Sequence, residues 1–217
     1  MTDASAADPT RPPANAPITL WGNPISGNSY KVALMLSLIG LPYTYRNIDL
    51  AGGGNLKPEF LAVNPQGKVP VLQHGRLAIR QSTDSLLYLA RLSGRYAPKT
   101  LEEEVRTGEW FGFQTDFGAF GVARLRFIRK FTSGDDKLYA YFQPTALRGL
   151  GILDAHLTGN DWLVGGRPTV ADINAYPTQS VLEDTGLDID QWPSVLAWRR
   201  RVQALPGFAA AADLMKA

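Results

Sequence analysis

The sequence predicts a molecule in two parts, a small α/β layer with a mixed sheet followed by an all-helical half. Three observations predict it. A strand-like run, a helical pattern and a second strand-like run open the chain, and a helix between two strands makes them parallel. Two further strand-like runs flank a turn at His74-Gly75, close enough for an antiparallel hairpin. Beyond Gly94 no convincing strand remains, and the apolar residues recur at helical spacing.

Each element has a local reason. Ile18-Thr19-Leu20-Trp21 is a short apolar run stopped by Gly22-Asn23-Pro24, hence a buried strand. Val32, Leu34, Met35, Leu36, Leu38 and Ile39 give a strongly apolar helix, ended by Gly40 with Pro42 just beyond. Residues 43–50 alternate loosely as a second strand. The segment 51–64 holds consecutive glycines and a short helix around Glu59-Phe60-Leu61. Lys68-Val69-Pro70-Val71-Leu72 reads as a strand with a proline inside it, and Leu77-Ala78-Ile79 as its hairpin partner. Ser82 caps a helix through Leu86, Leu87, Leu89 and Leu92. Four helices follow, over 102–131, 137–157, 170–183 and 194–205. The divisions are a tail at 1–17, the α/β domain at 18–94, a linker at 95–102 where Pro98 breaks the pattern, and the helical domain at 103–217.

Composition removes several functions. No run of eighteen apolar residues exists, so no membrane span is expected. A net charge of +2 gives nucleic acid little reason to bind. The basic clusters Arg124, Arg126, Arg129, Lys130 and Arg199, Arg200, Arg201 lie in helical patterns and read as solvated faces. There is no cysteine, which excludes disulfides, thiolate metal sites and a thiol supplied by the protein. With only His74 and His156, no multi-histidine metal site is expected. The tail lacks a basic start and an apolar core, so it reads as disordered, not as a secretory signal, and a cytoplasmic home is expected.

Motifs carry the chemistry. Asn64-Pro65-Gln66-Gly67-Lys68-Val69-Pro70-Val71-Leu72 puts a proline where a strand needs an N–H donor. A cis bond there turns the N–H and C=O of the preceding residue outward, where an extended peptide can pair with them; without a ligand it is a plain edge-strand proline. Gln81-Ser82 opens a helix whose first turn offers free N–H groups to a carboxylate. The loop Pro24-Ile25-Ser26-Gly27-Asn28-Ser29-Tyr30-Lys31-Val32 holds polar groups that either cap the next helix or face a ligand. In Arg167-Pro168-Thr169-Val170-Ala171-Asp172-Ile173, Thr169 and Asp172 have capping-box spacing, a structural role.

With these motifs in this order, the chain resembles the cytosolic glutathione transferases over nearly all of 18–210. The resemblance implies a thioredoxin-like N-terminal domain of order βαβαββα, an all-helical C-terminal domain, a homodimer, and glutathione as co-substrate with no other cofactor. It lays the cysteinyl part of glutathione antiparallel to Val69, ahead of Pro70, and the γ-glutamyl end at Gln81 and Ser82. Ser26 matches the serine that donates to the sulfur in theta-like members, and Ser26 with Asn28 matches the polar pair of nu-like members; Ser29 is the third choice. Lys68 matches a position used for the glycyl carboxylate, whereas Lys31 reads more simply as an exposed helix lysine. Arg80 and Asp84 depart from the family's apolar or small residues, which leaves the contacts there open.

The implied reaction is attack of the glutathione thiolate on an electrophile, or on a peroxide or disulfide in the nu-like variant. A free thiol has a pKa near about 8.5, and lowering it by about two units needs roughly 2.7 kcal/mol of preference for the anion. A hydroxyl donating to charged sulfur supplies about 1.5–3 kcal/mol, and a helix N-terminus about 0.3–1 kcal/mol. One serine and one helix end suffice. The stripe containing Trp110, Phe113, Phe117, Phe120, Phe127 and Phe131 is more often core or interface than pocket; Trp110, Phe113, Phe117 and Arg124 are the candidates for a hydrophobic electrophile. Two alternatives stand beside the transferase. One is a glutathione-dependent isomerase, against which the missing Ser-Ser-Cys loop counts; the other is a non-enzymatic binding or scaffold module.

Overall fold

The computed structural model describes residues 12, 13 and 15–216. The tail expectation falls for the most part outside these residues. Among them the first half runs β1 (Ile18–Gly22), α1 (Gly27–Ile39), β2 (Thr44–Asn47), α2 (Pro58–Leu61), β3 (Val71–His74), β4 (Leu77–Ile79) and α3 (Ser82–Ser93), the expected βαβαββα order. A short 3₁₀ turn at Gly54–Leu56 precedes α2. The second half holds α4 (Leu101–Phe113), α5 (Ala123–Phe131), α6 (Asp136–Thr158), α7 (Val170–Gln179), α8 (Pro193–Gln203) and α9 (Ala211–Leu214). Strand order is β2-β1-β3-β4. β1 pairs parallel with β2 (Leu20 beside Tyr45) and antiparallel with β3 (Leu20 beside Leu72); β4 closes the edge antiparallel to β3.

Each half has a physical logic. α1 ends where Gly40 takes a left-handed conformation (φ 71°) that a side chain would oppose, its N–H returning to Leu36 and Ser37 carbonyls. The helix is apolar all round and is buried accordingly, with Ser29 through Leu36 and Leu38 out of solvent. One large core joins Leu20, Leu34, Leu72 and Leu86 to Ile173, Tyr176 and Trp198 of the helical half. A smaller cluster of Ile48, Phe60 and Val71, with Trp21 against it, covers the other side of the sheet. The C-terminal segment returns to the first half: Ser37 Oγ donates to Gly207 O (2.6 Å), Tyr30 OH to Ala209 O (2.9 Å) and Tyr43 OH to Leu214 O (2.7 Å).

Several expectations need correction. β3 starts at Val71, so Pro70 precedes the ladder and its missing N–H costs no strand hydrogen bond. The Val69–Pro70 bond itself is cis, as the motif led one to expect. The N-cap of α3 is Gln81, not Ser82, and no side chain caps that helix. The expected helix over 102–131 is interrupted by a π-helical stretch, Gln114–Val122. Gly121 lies where a Cβ would come within 2.8 Å of Ala146 N and Cα, so α6 packs directly on this backbone. The helix expected over 170–183 stops at Gln179, and a 3₁₀ turn at Leu182–Thr185 follows. Two residues of the basic clusters are covered rather than solvated: Arg126 pairs with Asp184 (3.2 Å) and Arg199 with Glu183 (2.8 Å).

The capping box forms as expected. Thr169 N–H donates to Asp172 Oδ2 (2.9 Å), while Thr169 Oγ1 accepts from Ala171 N–H (3.3 Å). Asp172 also accepts from Leu163 N–H (3.0 Å), Trp198 Nε1–H (2.9 Å) and Thr169 Oγ1–H (3.2 Å). Burial pushes its carboxyl up to about 6, against the pull of these hydrogen bonds.

Candidate active site

The loop between β1 and α1 is fixed by its own polar groups. Asn23 donates from Nδ2 to Ile48 O (2.8 Å) and accepts Ile25 N–H on Oδ1 (3.0 Å). Ser29 is fully buried, and its oxygen receives Asn23 N–H (3.1 Å), so it belongs to the loop's scaffold and does not face the cleft. Ser26 is half-buried and caps α1, its Oγ accepting Ser29 N–H (3.2 Å). Accepting leaves the hydroxyl hydrogen free to donate.

Ser26, Asn28, Gln81 and Ser82 come together in one cleft between the two halves, about 340 Å³ in volume. Ser82 Oγ–H points at Asn28 Oδ1 at a long 3.4 Å. With no side chain on the N-terminus of α3, its first-turn N–H groups have no intrahelical partner. Val69 is half-buried, and neither its N–H nor its C=O bonds to a described residue. Pro70 is buried; Lys68 is exposed and its carbonyl accepts from Asn64 Nδ2 (2.6 Å). Lys68, Val69 and Pro70 do not line the cleft of Ser26 and Ser82.

The largest correction concerns Lys31. It is not an exposed helix lysine; only 5% of it reaches solvent, and its Nζ donates to Asn174 Oδ1 on α7 (2.7 Å). Burial lowers its ammonium to about 8. The opposite wall supplies residues that sequence reasoning missed: Gln114, Thr115, Ala119, Ala123, Asn174 and Thr178. Gln114 Nε2 donates to Thr178 Oγ1 (2.5 Å), and the Gln114 side chain lies over Gly118, where a Cβ would collide with it. The π-helical stretch and Gly118 together make that room.

The aromatic candidates lie elsewhere. Trp110 and Phe113 (ring centroids 4.9 Å apart) line a separate cavity of about 680 Å³, with His156 against Trp110. Phe117 packs on Gly149 of α6, and Arg124 is exposed. None of the four lines the cleft. A cavity of about 420 Å³ adjoins the cleft instead, sharing Ser26, Gly27, Ala123 and Thr178 with it, and lined further by Ile25, Tyr30, Arg126, Tyr176 and Phe208. Arg126 donates to Ile25 O (3.2 Å) and so ties the Ser26 loop to α5. The Tyr30 phenol, pushed up by burial and by Tyr176, stays a neutral donor to Ala209 O.

Comparison with known proteins decides the family. The model described as glutathione S-transferase, N-terminal domain, matches residues 25–92, and that of the C-terminal domain matches 118–206. The chain belongs to the glutathione S-transferase family. A possible glutathione S-transferase from Rhodopseudomonas palustris is 31% identical, superposes with a TM-score of 0.82 and is matched over 89% of each chain. A glutathione transferase family member from Pseudomonas fluorescens Pf-5, with two glutathione bound, is 30% identical with a TM-score of 0.80, over 91% of this chain and 92% of that one. The disulfide-bond oxidoreductase YfcG of Escherichia coli K12 is 28% identical over 190 residues, 82% of this chain and 87% of that protein.

For this transferase the thioredoxin-like half supplies Ser26, Asn28 and the α3 N-terminus, and the helical half closes the cleft over them. The arrangement can stabilise an anion near Ser26 with a hydroxyl and the start of α1, and hold a carboxylate at α3. Among the described residues no group of three or more His, Cys, Asp or Glu is placed to hold a metal, and no helix is long and apolar enough to cross a membrane.

Proposed function

We propose that this transferase binds glutathione with its cysteinyl main chain along Val69 and its γ-glutamyl end over Ser82, and that Ser26 donates to the sulfur. The single observation that carries the reading is the convergence of Ser26, Asn28, Gln81 and Ser82 on one cleft, with the uncapped start of α3 at its side. Lys68, exposed before Val69, serves the glycyl carboxylate. The thiolate attacks an electrophile held in the adjoining 420 Å³ cavity, whose shared wall at Ser26 supports this placement. Trp110, Phe113, Phe117 and Arg124 are not retained as electrophile contacts in this reading. The working divisions are 18–94 for glutathione binding, 95–102 as connection and 103–217 as the helical domain, in a cytoplasmic enzyme.

Retention on immobilised glutathione, elution by free glutathione, and conjugation of glutathione to an aryl halide test the proposal together. Wild-type chain is retained and active, and Ser82→Ala weakens retention. Retention without turnover favours the binding-module alternative, and absence of retention refutes the reading. Disulfide reduction is a second reading, favoured by the Ser26–Asn28 pair and by the likeness to a disulfide-bond oxidoreductase. Reduction of 2-hydroxyethyl disulfide by wild type, with two glutathione oxidised to one glutathione disulfide per disulfide reduced and the activity lost in Asn28→Ala, supports it; no turnover removes it. The exposed apolar residues Val105, Phe120, Phe127, Tyr141 and Leu147 of α4, α6 and the helices between support a homodimer, which light scattering tests directly.

A further inference from the structure

The cleft contains a charge that the fold itself does not balance. Lys31 is the one charged side chain among the described residues lining it, the rest being Ser, Gly, Asn, Gln, Thr and Ala. It is buried, and no carboxylate of a described residue pairs with it; its one hydrogen bond is to the neutral Asn174. Asn174 is itself 1% exposed, and its Nδ2 donor has no partner. Gln114, 4% exposed, likewise has a buried Oε1 acceptor without a partner. Buried polar groups in folded proteins are satisfied in the great majority, and a buried cation lacking a counter-ion is costlier still. These groups face the same space as Ser82 and the uncapped start of α3. An ammonium, a free N–H donor and free backbone N–H groups together describe a receptor for a carboxylate. The free carbonyl oxygen of Gln114 is suited to an ammonium beside it.

We infer that Lys31, Asn174 and Gln114 form the receptor for the α-amino-acid head of the γ-glutamyl group, Lys31 and Asn174 Nδ2 taking its carboxylate and Gln114 Oε1 its ammonium. This rests on the proposed seating of glutathione over Ser82. The ligand then supplies the counter-ion that the chain withholds, and the helical half takes part in substrate selection through α7 and the π-helical stretch. Lys31 thereby serves the γ-glutamyl end, not the glycyl end.

Calorimetry on the full chain tests this with three probes. They are glutathione, the analogue whose γ-glutamyl residue is replaced by 4-aminobutyrate (carboxylate removed), and the glutaryl analogue (amine removed). A hydrogen bond to a charged group contributes about 1.5–3 kcal/mol, so wild type binds glutathione roughly ten- to a hundredfold more tightly than the decarboxylated analogue. In Lys31→Met that preference shrinks to near unity while the glutaryl preference persists. Asn174→Asp gives Lys31 an internal counter-ion. It keeps the fold, raises thermal stability and loses the carboxylate preference in the same way. If wild type binds none of the probes, the seating of glutathione is wrong. If wild type binds glutathione and both variants keep the full carboxylate preference, the seating stands and the Lys31 receptor is overturned. A purely structural lysine gives that second result, because a tether between halves does not distinguish probes that differ only at the carboxylate.

Discussion

Ser26→Ala separates two tasks carried by one hydroxyl. Ser26 Oγ accepts Ser29 N–H at 3.2 Å, so it caps α1 while its hydrogen remains available to the cleft. Losing the cap costs about 0.5–2 kcal/mol of stability. At roughly 2–4 °C per kcal/mol for a chain of this size, Tm falls by roughly 1–8 °C. Losing the donor removes about 1.5–3 kcal/mol of preference for the thiolate. That is roughly one to two pKa units at about 1.36 kcal/mol per unit, while the first turn of α1 keeps its about 0.3–1 kcal/mol. Ultraviolet difference absorbance of the bound thiolate, followed against pH at saturating glutathione, reads the shift; calorimetry reads the affinity. The titration moves up by roughly one to two units with affinity near wild type. An unmoved titration with intact affinity refutes the role of Ser26 and passes it to Asn28.

Lys31 makes stability depend on pH. Its ammonium titrates near about 8 folded and 10.5 unfolded, so between these values the unfolded chain holds more protons and stability rises with pH, the whole penalty standing below about 8. Denaturant unfolding across that window gains on the order of 3 kcal/mol relative to Lys31→Met, and parallel curves for the two proteins reject the assignment. Asp172→Ala strands the buried donors Thr169 N–H, Leu163 N–H and Trp198 Nε1–H, at about 1–3 kcal/mol each. Relief of the buried carboxylate offsets part of this, leaving a net loss on the order of 3 kcal/mol and a Tm lower by roughly 6–12 °C; a fall under about 2 °C contradicts the box's role. Gly121→Ala pits helix propensity, worth about 0.5–1 kcal/mol in its favour, against a Cβ placed on the Ala146 backbone, worth about 1–3 kcal/mol against it. Net destabilisation in thermal melts is the expected sign, and a stabilised variant refutes the close approach.

Much of this was legible from sequence because it rests on local chemistry. The strand at Ile18–Gly22, the stop at Gly40 and the box at Thr169 and Asp172 follow from a few adjacent residues. So did the placement of Ser26 and Ser82 across one cleft, given the loop and the helix start. What stayed hidden depends on tertiary packing. Lys31 looked exposed because lysine usually is, yet the apolar residues on every face of α1 left it no solvent side; that pattern was the available signal. Gln114 opens the π-helical stretch, and its place in the cleft depends on room over Gly118 and on Thr178 of α7, tertiary contacts that no local spacing announces. The aromatic residues Trp110, Phe113 and Phe117 turn toward α6, where the first two line a separate cavity and Phe117 meets Gly149; which neighbour a helix face meets is settled by packing and not by spacing. Gln81, one residue ahead of Ser82, takes the N-cap place because its backbone is still extended while Ser82 has entered the helix.

Tyr30, Ser37 and Tyr43 of the first half all deliver their hydroxyl hydrogens to carbonyls between Gly207 and Leu214. Recombination between relatives must respect this seam: a chimera that takes its opening half from one parent and residues 207–215 from another joins surfaces that were never fitted to each other. The crossover that preserves function keeps the beginning and the end of the chain from the same parent and exchanges what lies between.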